Sequence, residues 1–114
     1  MISIANIDPS MIANNLMPFE PTHPGELIRD ELEAREVSQA ALARQLGISS
    51  TVLNEVINCK RAVNTELALM LEAAWGISAE MWLGLQSDYN MQMAKSNQTF
   101  MKKLASIRKF TAAL

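Results

Sequence analysis

The sequence predicts a small all-α protein with a single compact domain. Hydrophobic residues make up 49% of the 114 residues, whereas Gly and Pro number only four each. No stretch alternates apolar and polar residues for long enough to indicate half-buried strands. A chain of this length can bury the core of one domain and has little length left for a second.

Composition also excludes several classes of protein. No segment approaches the roughly 20 consecutive apolar residues of a membrane span. The N-terminus lacks the basic start and apolar run of a secretory signal, so we expect a cytoplasmic protein. One histidine and one cysteine are too few for a closed zinc site or an internal disulfide. We find no paired carboxylates, catalytic triad or phosphate-binding loop, and therefore expect no enzyme activity, cofactor or metal.

The first helix should follow an N-terminal arm. Residues 1–22 show no strong periodicity, and Pro18 and Pro21 interrupt their end. Pro24 suits the first position of a helix because its φ angle is fixed near the helical value. We expect this helix to end near Glu36, with three residues facing inwards: Leu27, Ile28 and Leu32.

Cap residues predict two short helices in close succession. Ser38 should cap the second helix and Gly47 should end it in the left-handed conformation, while Ser49 should open a third helix that runs to about Ile57. The inward stripe of the second helix is Leu42, Ala43 and Leu46. At about 100° per residue the third helix has two distinct faces. Its apolar face is Val52, Leu53, Val56 and Ile57, and its polar face is Ser50, Thr51, Asn54, Glu55 and Asn58.

Two further helices and a basic extension complete the chain. Asn64 or Thr65 can cap a fourth helix that Gly76 ends, and Ser78 opens a fifth. The fourth helix has an apolar stripe of Leu67, Met70, Leu71 and Ala74, and the fifth has one of Met81, Trp82, Leu85, Tyr89 and Met93. We expect residues 95–114 to form either a basic tail or a last basic helix.

The second and third helices have the spacing of a helix-turn-helix motif. Counted from Gln39, small Ala43 falls at the fifth position, where the two helices must cross closely, and Gly47 falls at the ninth. In this motif the later of the two helices enters the DNA major groove and is called the recognition helix. Here it is the third helix of the chain. We therefore expect DNA contacts from eight residues: Gln39, Ser49, Ser50, Thr51, Asn54, Asn58, Lys60 and Arg61.

Polar residues on the third helix suit the reading of bases. The amide of Asn54 can form a bidentate pair with adenine, while Ser50 and Thr51 can bond to base edges or phosphates. Val52 could touch a thymine methyl group. Glu55 would repel phosphate unless it accepts from a cytosine amino group or pairs with a neighbouring basic residue.

Other residues are placed to hold the DNA backbone. Gln39 and Ser49, at the starts of two helices, can hold phosphate oxygens together with exposed backbone N–H groups. Lys60 and Arg61 follow the recognition helix and could clamp the backbone on its far side.

The net charge of −2 does not exclude DNA, because the charges are segregated. Residues 20–37 hold six acidic and two basic residues, and residues 62–94 hold four acidic residues and no basic one. Residues 38–61 carry three basic residues against Glu55, and residues 95–114 carry five basic residues and no acidic one. Positive potential is thus available where a phosphate backbone could use it.

Several short motifs carry a resemblance to a known family. They are HPGEL at 23–27, SQ at 38–39, LA at 42–43, LGIS at 46–49, NTE at 64–66, SAEMWL at 78–83, LQ at 85–86 and DYN at 88–90. On these motifs, residues 22–94 resemble the HigA-type antitoxins, a branch of the Xre, or lambda-repressor-like, helix-turn-helix family. The resemblance implies a domain at 23–94, between the arm 1–22 and the extension 95–114.

The resemblance also implies a function and partners. It implies a five-helix core that forms a homodimer, binds double-stranded operator DNA to repress its own operon, and neutralises a small RelE-like (HigB-type) toxin without catalysis. The family's DNA contacts carry over to Gln39, Ser49, Ser50, Thr51 and Asn54. We expect the dimer to use the face of Trp82, Leu85 and Tyr89.

One turn departs from the family's pattern. Many relatives have Asn-Gly-Lys after the recognition helix, and this chain has Asn58, Cys59 and Lys60. A cysteine forced to a positive φ angle would be costly, so either Asn58 takes that conformation or the turn is rearranged.

Two alternative functions stay open at this stage. The chain could be a stand-alone Xre-type transcriptional repressor with the same DNA chemistry and no toxin. It could also be a partner-sequestering module that has lost DNA binding, an idea that Glu55 and the acidic total favour.

Overall fold

A computed structural model describes residues 21–113, and this part of the chain forms six α-helices and no strand. The helices are α1 (Pro24–Arg35), α2 (Gln39–Leu46), α3 (Ser50–Ile57), α4 (Thr65–Trp75), α5 (Ala79–Lys95) and α6 (Gln98–Ala113). The all-α prediction is confirmed. Where the resemblance implied five helices, a sixth lies in the basic extension. Residues 1–20 of the predicted arm lie outside the described part.

Local capping interactions begin and end the helices where the sequence predicts them. Ser38, Ser49, Asn64 and Ser78 are N-caps, and the side-chain oxygen of each accepts from the backbone N–H three residues further on, at 2.8–3.1 Å. Gly47 and Gly76 end α2 and α4 in the left-handed conformation, with φ angles of 71° and 76°. Of the two candidate caps for α4, the structure selects Asn64.

The start of α1 is held by His23, Pro24 and Gly25. His23 is the N-cap, and its Nδ1 atom accepts from the Gly25 N–H at 2.8 Å. A Cβ atom on Gly25 would lie 1.9 Å from the carbonyl oxygen of Val56. The missing side chain therefore allows the first turn of α1 to lie directly against the last turn of α3.

The core lies where α3 meets α1 and α2 and where α5 packs on α4 and α1. Its fully buried large side chains are Ile28, Leu42, Leu53, Val56, Leu71 and Trp82. The sequence predicted Trp82 as a contact of a homodimer, but its side chain is 0% exposed within one copy and has no surface to offer a partner. Leu85 and Tyr89, its partners in that prediction, are half-buried.

The sixth helix lies outside this core. It packs against α5 and has no buried residue, and its exposed apolar side chains include Phe100, Ile107 and Phe110. None of the helices in residues 21–113 is long and apolar enough to cross a membrane.

Cys59 takes the strained conformation in the turn after α3. Its φ angle is 64°, whereas Asn58 has an ordinary φ angle of −90°. From the sequence we expected either Asn58 to take the left-handed conformation or the turn to be rearranged, and instead Cys59 itself takes that conformation. The Cys59 N–H donates to the carbonyl oxygen of Val56, and the Lys60 N–H donates to that of Glu55, at 3.0 and 2.8 Å. These two bonds hold the turn in the shape that a glycine would otherwise provide.

Candidate nucleic-acid interface

The turn between α2 and α3 has the geometry of a helix-turn-helix. The Gly47 N–H donates to the carbonyl oxygen of Arg44, and the Ile48 N–H donates to that of Ala43, so the end of α2 is closed before α3 begins. The two helices contact each other, and Leu42 and Ala43 of α2 and Leu53 of α3 are all buried in the same hydrophobic core. This packing fixes α3 on the domain surface with its polar face outwards.

The polar face of α3 is exposed as the helical period predicts. Ser50, Thr51, Asn54 and Asn58 are exposed, while Leu53, Val56 and Ile57 of the opposite face are buried. Val52, predicted to touch a thymine methyl group, is half-buried at the border of the two faces. Four polar side chains that can bond to base edges thus form one continuous surface on a short helix.

Two of these residues are linked to a third that the sequence analysis did not identify. The Asn58 Nδ2 group donates to the Asn54 Oδ1 atom at 3.1 Å. Arg29 of α1 donates from Nη2 to the Asn58 Oδ1 atom at 3.1 Å and to the Ile57 carbonyl oxygen at 3.2 Å. Because Arg29 lies 29 residues before Asn58, no local pattern in the sequence could have found this contact.

Glu55 and Arg61 form an ion pair at the far end of the polar face. Arg61 donates to the Glu55 carboxylate at 2.7 Å from Nη2 and 2.8 Å from Nε, although both side chains stay partly exposed. Of the two roles left open for Glu55, the structure shows pairing with a neighbouring basic residue. The pair neutralises a charge that would repel phosphate. Exposed Lys60, the neighbour of Arg61 in the sequence, forms no ion pair within residues 21–113.

Exposed backbone groups surround the starts of α2 and α3. The Ser49 Oγ atom accepts from the Val52 N–H, so its own O–H hydrogen remains able to donate to an anion. The N–H groups of Ser50 and Thr51 lie in the first turn of α3, where helices have no internal acceptor for them. Gln39 lies half-buried at the first position of α2. These groups can hold phosphate oxygens.

Chemistry other than recognition has little support in the described residues. Within residues 21–113, no three His, Cys, Asp or Glu side chains lie together so that they could hold a metal ion. Burial raises the pKa of the Cys59 thiol, the nearby Glu26 carboxylate raises it further, and Arg29 opposes them. The thiol is therefore protonated at neutral pH, the form that is a poor nucleophile.

Known proteins with similar sequences are regulators and virulence-associated proteins. Virulence-associated protein I of Dichelobacter nodosus is 35% identical over 77 residues, which cover 67% of this chain and 71% of that protein. The uncharacterized HTH-type transcriptional regulator YddM of Escherichia coli K12 is 31% identical over 72 residues, which cover 63% of this chain and 77% of that protein. No family model matches the chain.

Solved structures with the same fold include antitoxins. A HigA-family addiction module antidote protein from Coxiella burnetii superposes with a TM-score of 0.66 and 33% identity, over 74% of this chain and 95% of that one. The antitoxin HigA of Pseudomonas aeruginosa, solved with the higBA promoter, superposes with a TM-score of 0.65 and 35% identity, over 74% and 90%. Antitoxins and transcriptional regulators are not enzymes, in agreement with the expectation from the sequence. The chain belongs to the HigA-type antitoxins of the Xre helix-turn-helix family.

Proposed function

We propose that the chain is the antitoxin of a type II toxin-antitoxin module, which acts in the cytoplasm as a homodimer. In this proposal it binds operator DNA to repress its own operon and neutralises a small RelE-like toxin. Residues 23–94 form the DNA-binding domain, with residues 1–22 as an arm and residues 95–114 as an extension. The observation that carries the proposal is the exposed polar face of α3, held outwards by a buried helix-turn-helix core.

The proposed DNA contacts divide into base readers and backbone holders. Ser50, Thr51, Asn54 and Asn58 share the exposed face of α3 and would meet base edges in the major groove. Gln39, Ser49 and Lys60 lie around that face and would hold phosphates. Arg61 was predicted to clamp the backbone, and its pairing with Glu55 leaves it less free for that role. The P. aeruginosa relative was solved with promoter DNA, which supports this use of the fold.

A substitution on α3 tests the base-reading role. Asn54→Ala or Thr51→Ala should weaken binding to the operator by about 1 to 3 kcal/mol and leave the fold intact, because both side chains are exposed. Fluorescence anisotropy with the duplex upstream of the chain's own gene and with a random duplex measures the discrimination. Ser87→Ala, an exposed polar position on α5, is the matched control. Unchanged discrimination in both α3 variants would contradict the assignment.

The homodimer would place two copies of α3 about one DNA turn apart, roughly 34 Å, on a palindromic operator. Leu85 and Tyr89 remain the proposed contacts of the dimer, since each is half-buried on α5 and keeps some surface for a partner. Trp82 supports that surface from the core and is not itself a contact. Analytical ultracentrifugation of the free protein and of a Leu85→Glu variant measures whether this face is used.

The proposed toxin can be identified among the proteins that co-purify with the chain. A mild pull-down of the tagged full-length chain from its own cells, followed by mass spectrometry, should return a stoichiometric small basic protein encoded by the neighbouring gene. A homodimer that co-purifies with DNA but without such a protein would favour a stand-alone transcriptional repressor. The similarity to YddM, named as a transcriptional regulator, supports this alternative.

A further inference from the structure

Three side chains form a hydrogen-bonded relay that ends on the proposed base-reading surface. Arg29 of α1 donates to the Asn58 Oδ1 atom, and the Asn58 Nδ2 group donates to the Asn54 Oδ1 atom, both at 3.1 Å. The same Arg29 nitrogen donates at 3.2 Å to the Ile57 carbonyl oxygen, in the last turn of α3 where carbonyl groups lack a donor within the helix. Arg29 therefore caps α3 and contacts its reading face at once.

The relay can run in only one direction. A guanidinium group has N–H donors and no acceptor, so Asn58 must turn its oxygen towards Arg29. The nitrogen of Asn58 then faces Asn54, which must offer its own oxygen in return. Without Arg29, nothing in this chain of bonds distinguishes the oxygen end from the nitrogen end of either amide.

The direction of the relay determines what Asn54 presents to DNA. One lone pair of its oxygen is occupied by Asn58, whereas its Nδ2 group donates to no other side chain or carbonyl group within residues 21–113. In the major groove, the N7 atom of purines, the O6 atom of guanine and the O4 atom of thymine accept hydrogen bonds, while cytosine offers only its amino donor. An amide whose oxygen already accepts from Asn58 and whose nitrogen can still donate suits these acceptors better than the cytosine donor.

We propose that Arg29 is a positioning residue for DNA specificity, which acts through Asn58 to make Asn54 reject cytosine at the base it faces. This inference rests on the proposed DNA-binding function and adds to it a residue on α1 that is far from the helix-turn-helix in sequence. Arg29 itself contacts no base in this arrangement.

Substitutions of Arg29 separate orientation from charge. Arg29→Gln places both a donor and an acceptor near Asn58, so the amides can turn over. Arg29→Lys keeps a purely donating group, and since both bonds of Arg29 come from one nitrogen, an ammonium can replace them. Arg35→Gln removes the same charge from the same helix at a residue paired with Glu31, and it serves as the matched control.

The experiment measures binding of the full-length variants to the duplex upstream of the chain's own gene and to versions with each base pair exchanged. Asn54→Ala first identifies the base pair that Asn54 reads. We expect Arg29→Gln to reduce discrimination against cytosine at that pair by about 3- to 30-fold. Arg29→Lys should retain most of the discrimination and Arg35→Gln all of it. In an Asn54→Ala background, Arg29→Gln should have no further effect on discrimination at that pair.

Three results would overturn the inference. The first is an equal loss on every duplex, with the salt dependence of log K reduced by about one, which marks a phosphate contact. The second is discrimination equal to that of Arg35→Gln, and the third is an effect that adds to that of Asn54→Ala. If Asn54→Ala itself changes no discrimination, the base-reading proposal fails instead. Thermal unfolding of each variant checks that the loss is not one of folding, and Arg29→Lys provides a second, milder test.

Discussion

At the scale of single residues, Gly25 shows how tightly α1 and α3 are packed. A Cβ atom at this position would lie 1.9 Å from the Val56 carbonyl oxygen, and a backbone oxygen cannot turn aside as a flexible side chain can. Three features explain the first three residues of the HPGEL motif at 23–27. His23 caps α1, Pro24 occupies its first position, and Gly25 allows the close approach to the Val56 carbonyl group.

We predict that Gly25→Ala lowers the free energy of unfolding by about 2 to 3 kcal/mol, because α1 must move away from α3. Urea unfolding followed by circular dichroism measures the change. Gly84→Ala is the matched control, since a Cβ atom there meets nothing within 4 Å in the exposed face of α5. That control should be more stable than the parent by about 0.5 to 1 kcal/mol. Equal effects in both variants would mean that the close approach does not limit position 25.

Cys59 is a second residue whose conformation conflicts with its side chain. Its φ angle of 64° lies in the left-handed region that favours glycine, and a non-glycine residue there costs about 1 to 2 kcal/mol. Glu36, which ends α1, takes the same left-handed conformation with a φ angle of 55°. Packing in the remainder of the domain must offset both costs.

At the scale of helices, each start depends on a side chain that accepts hydrogen bonds from the first turn. Within residues 21–113, five of the six N-caps are Ser or Asn, whose capping ability does not change near neutral pH. The sixth helix follows this rule because the Asn97 side chain accepts from the Phe100 N–H at 3.0 Å. The cap of α1 is different because His23 uses the lone pair of Nδ1, which exists only while that nitrogen is unprotonated. The side chain is also 2% exposed and packs edge-on against Tyr89.

This cap predicts a loss of stability in mild acid. Burial lowers the pKa of His23 below its ordinary value of 6.5, against the opposing effect of the Glu26 carboxylate. The unfolded chain therefore binds a proton before the folded chain does, and the free energy of unfolding should fall as the pH drops below about 6.5 towards the folded-state pKa. Above the unfolded-state pKa the full contribution is present. Urea unfolding across about pH 5 to 8 measures the slope.

A variant separates this slope from other titrations. His23→Asn keeps an oxygen that can cap α1 and removes the titrating ring, so its stability should change less over the same range. If the two proteins lose stability in parallel, another group is responsible.

At the scale of the whole molecule, charge is divided between regions. Most charged side chains of α1 are acidic. In α4 and in α5 before Lys95, all charged side chains are acidic. Lys60 follows the recognition helix. Of the other basic residues near it, Arg61 pairs with Glu55, Arg44 lies on α2, and Arg29 of α1 donates to Asn58. α6 is basic, and it packs mainly against α5. A DNA-binding surface on α3 would thus owe its backbone attraction to few side chains.

We predict that Lys60→Gln weakens binding to the operator and to random DNA alike and reduces the salt dependence of log K by about one, because one phosphate contact is lost. Titrations at several salt concentrations measure both quantities. Lys102→Gln on α6 makes the same charge change and should leave the salt dependence unchanged. A reduced dependence in Lys102→Gln would instead place the extension on the DNA.

Much of the fold and of the reading face could be predicted from the sequence because the interactions that set them are local. A cap bonds to a backbone group three residues away, and a left-handed glycine closes the turn beside it, so Ser38, Ser49 and Gly47 identify α2 and the start of α3. The helical period then separates Thr51 and Asn54 from the buried face.

Only the tertiary structure decided which distant groups meet. The helical period predicts one wide apolar stripe on α5. A hydrophobic core and a dimer interface would both bury such a stripe, so the sequence could not distinguish them. The packing of the helices shows that Trp82 is buried within one copy. Gly25 and Val56, like Arg29 and Asn58, are separated by about 30 residues, and no sequence period links them. The sequence determined the elements and their faces through contacts within a turn or two, whereas the contacts that join residues of different helices form only when the helices pack.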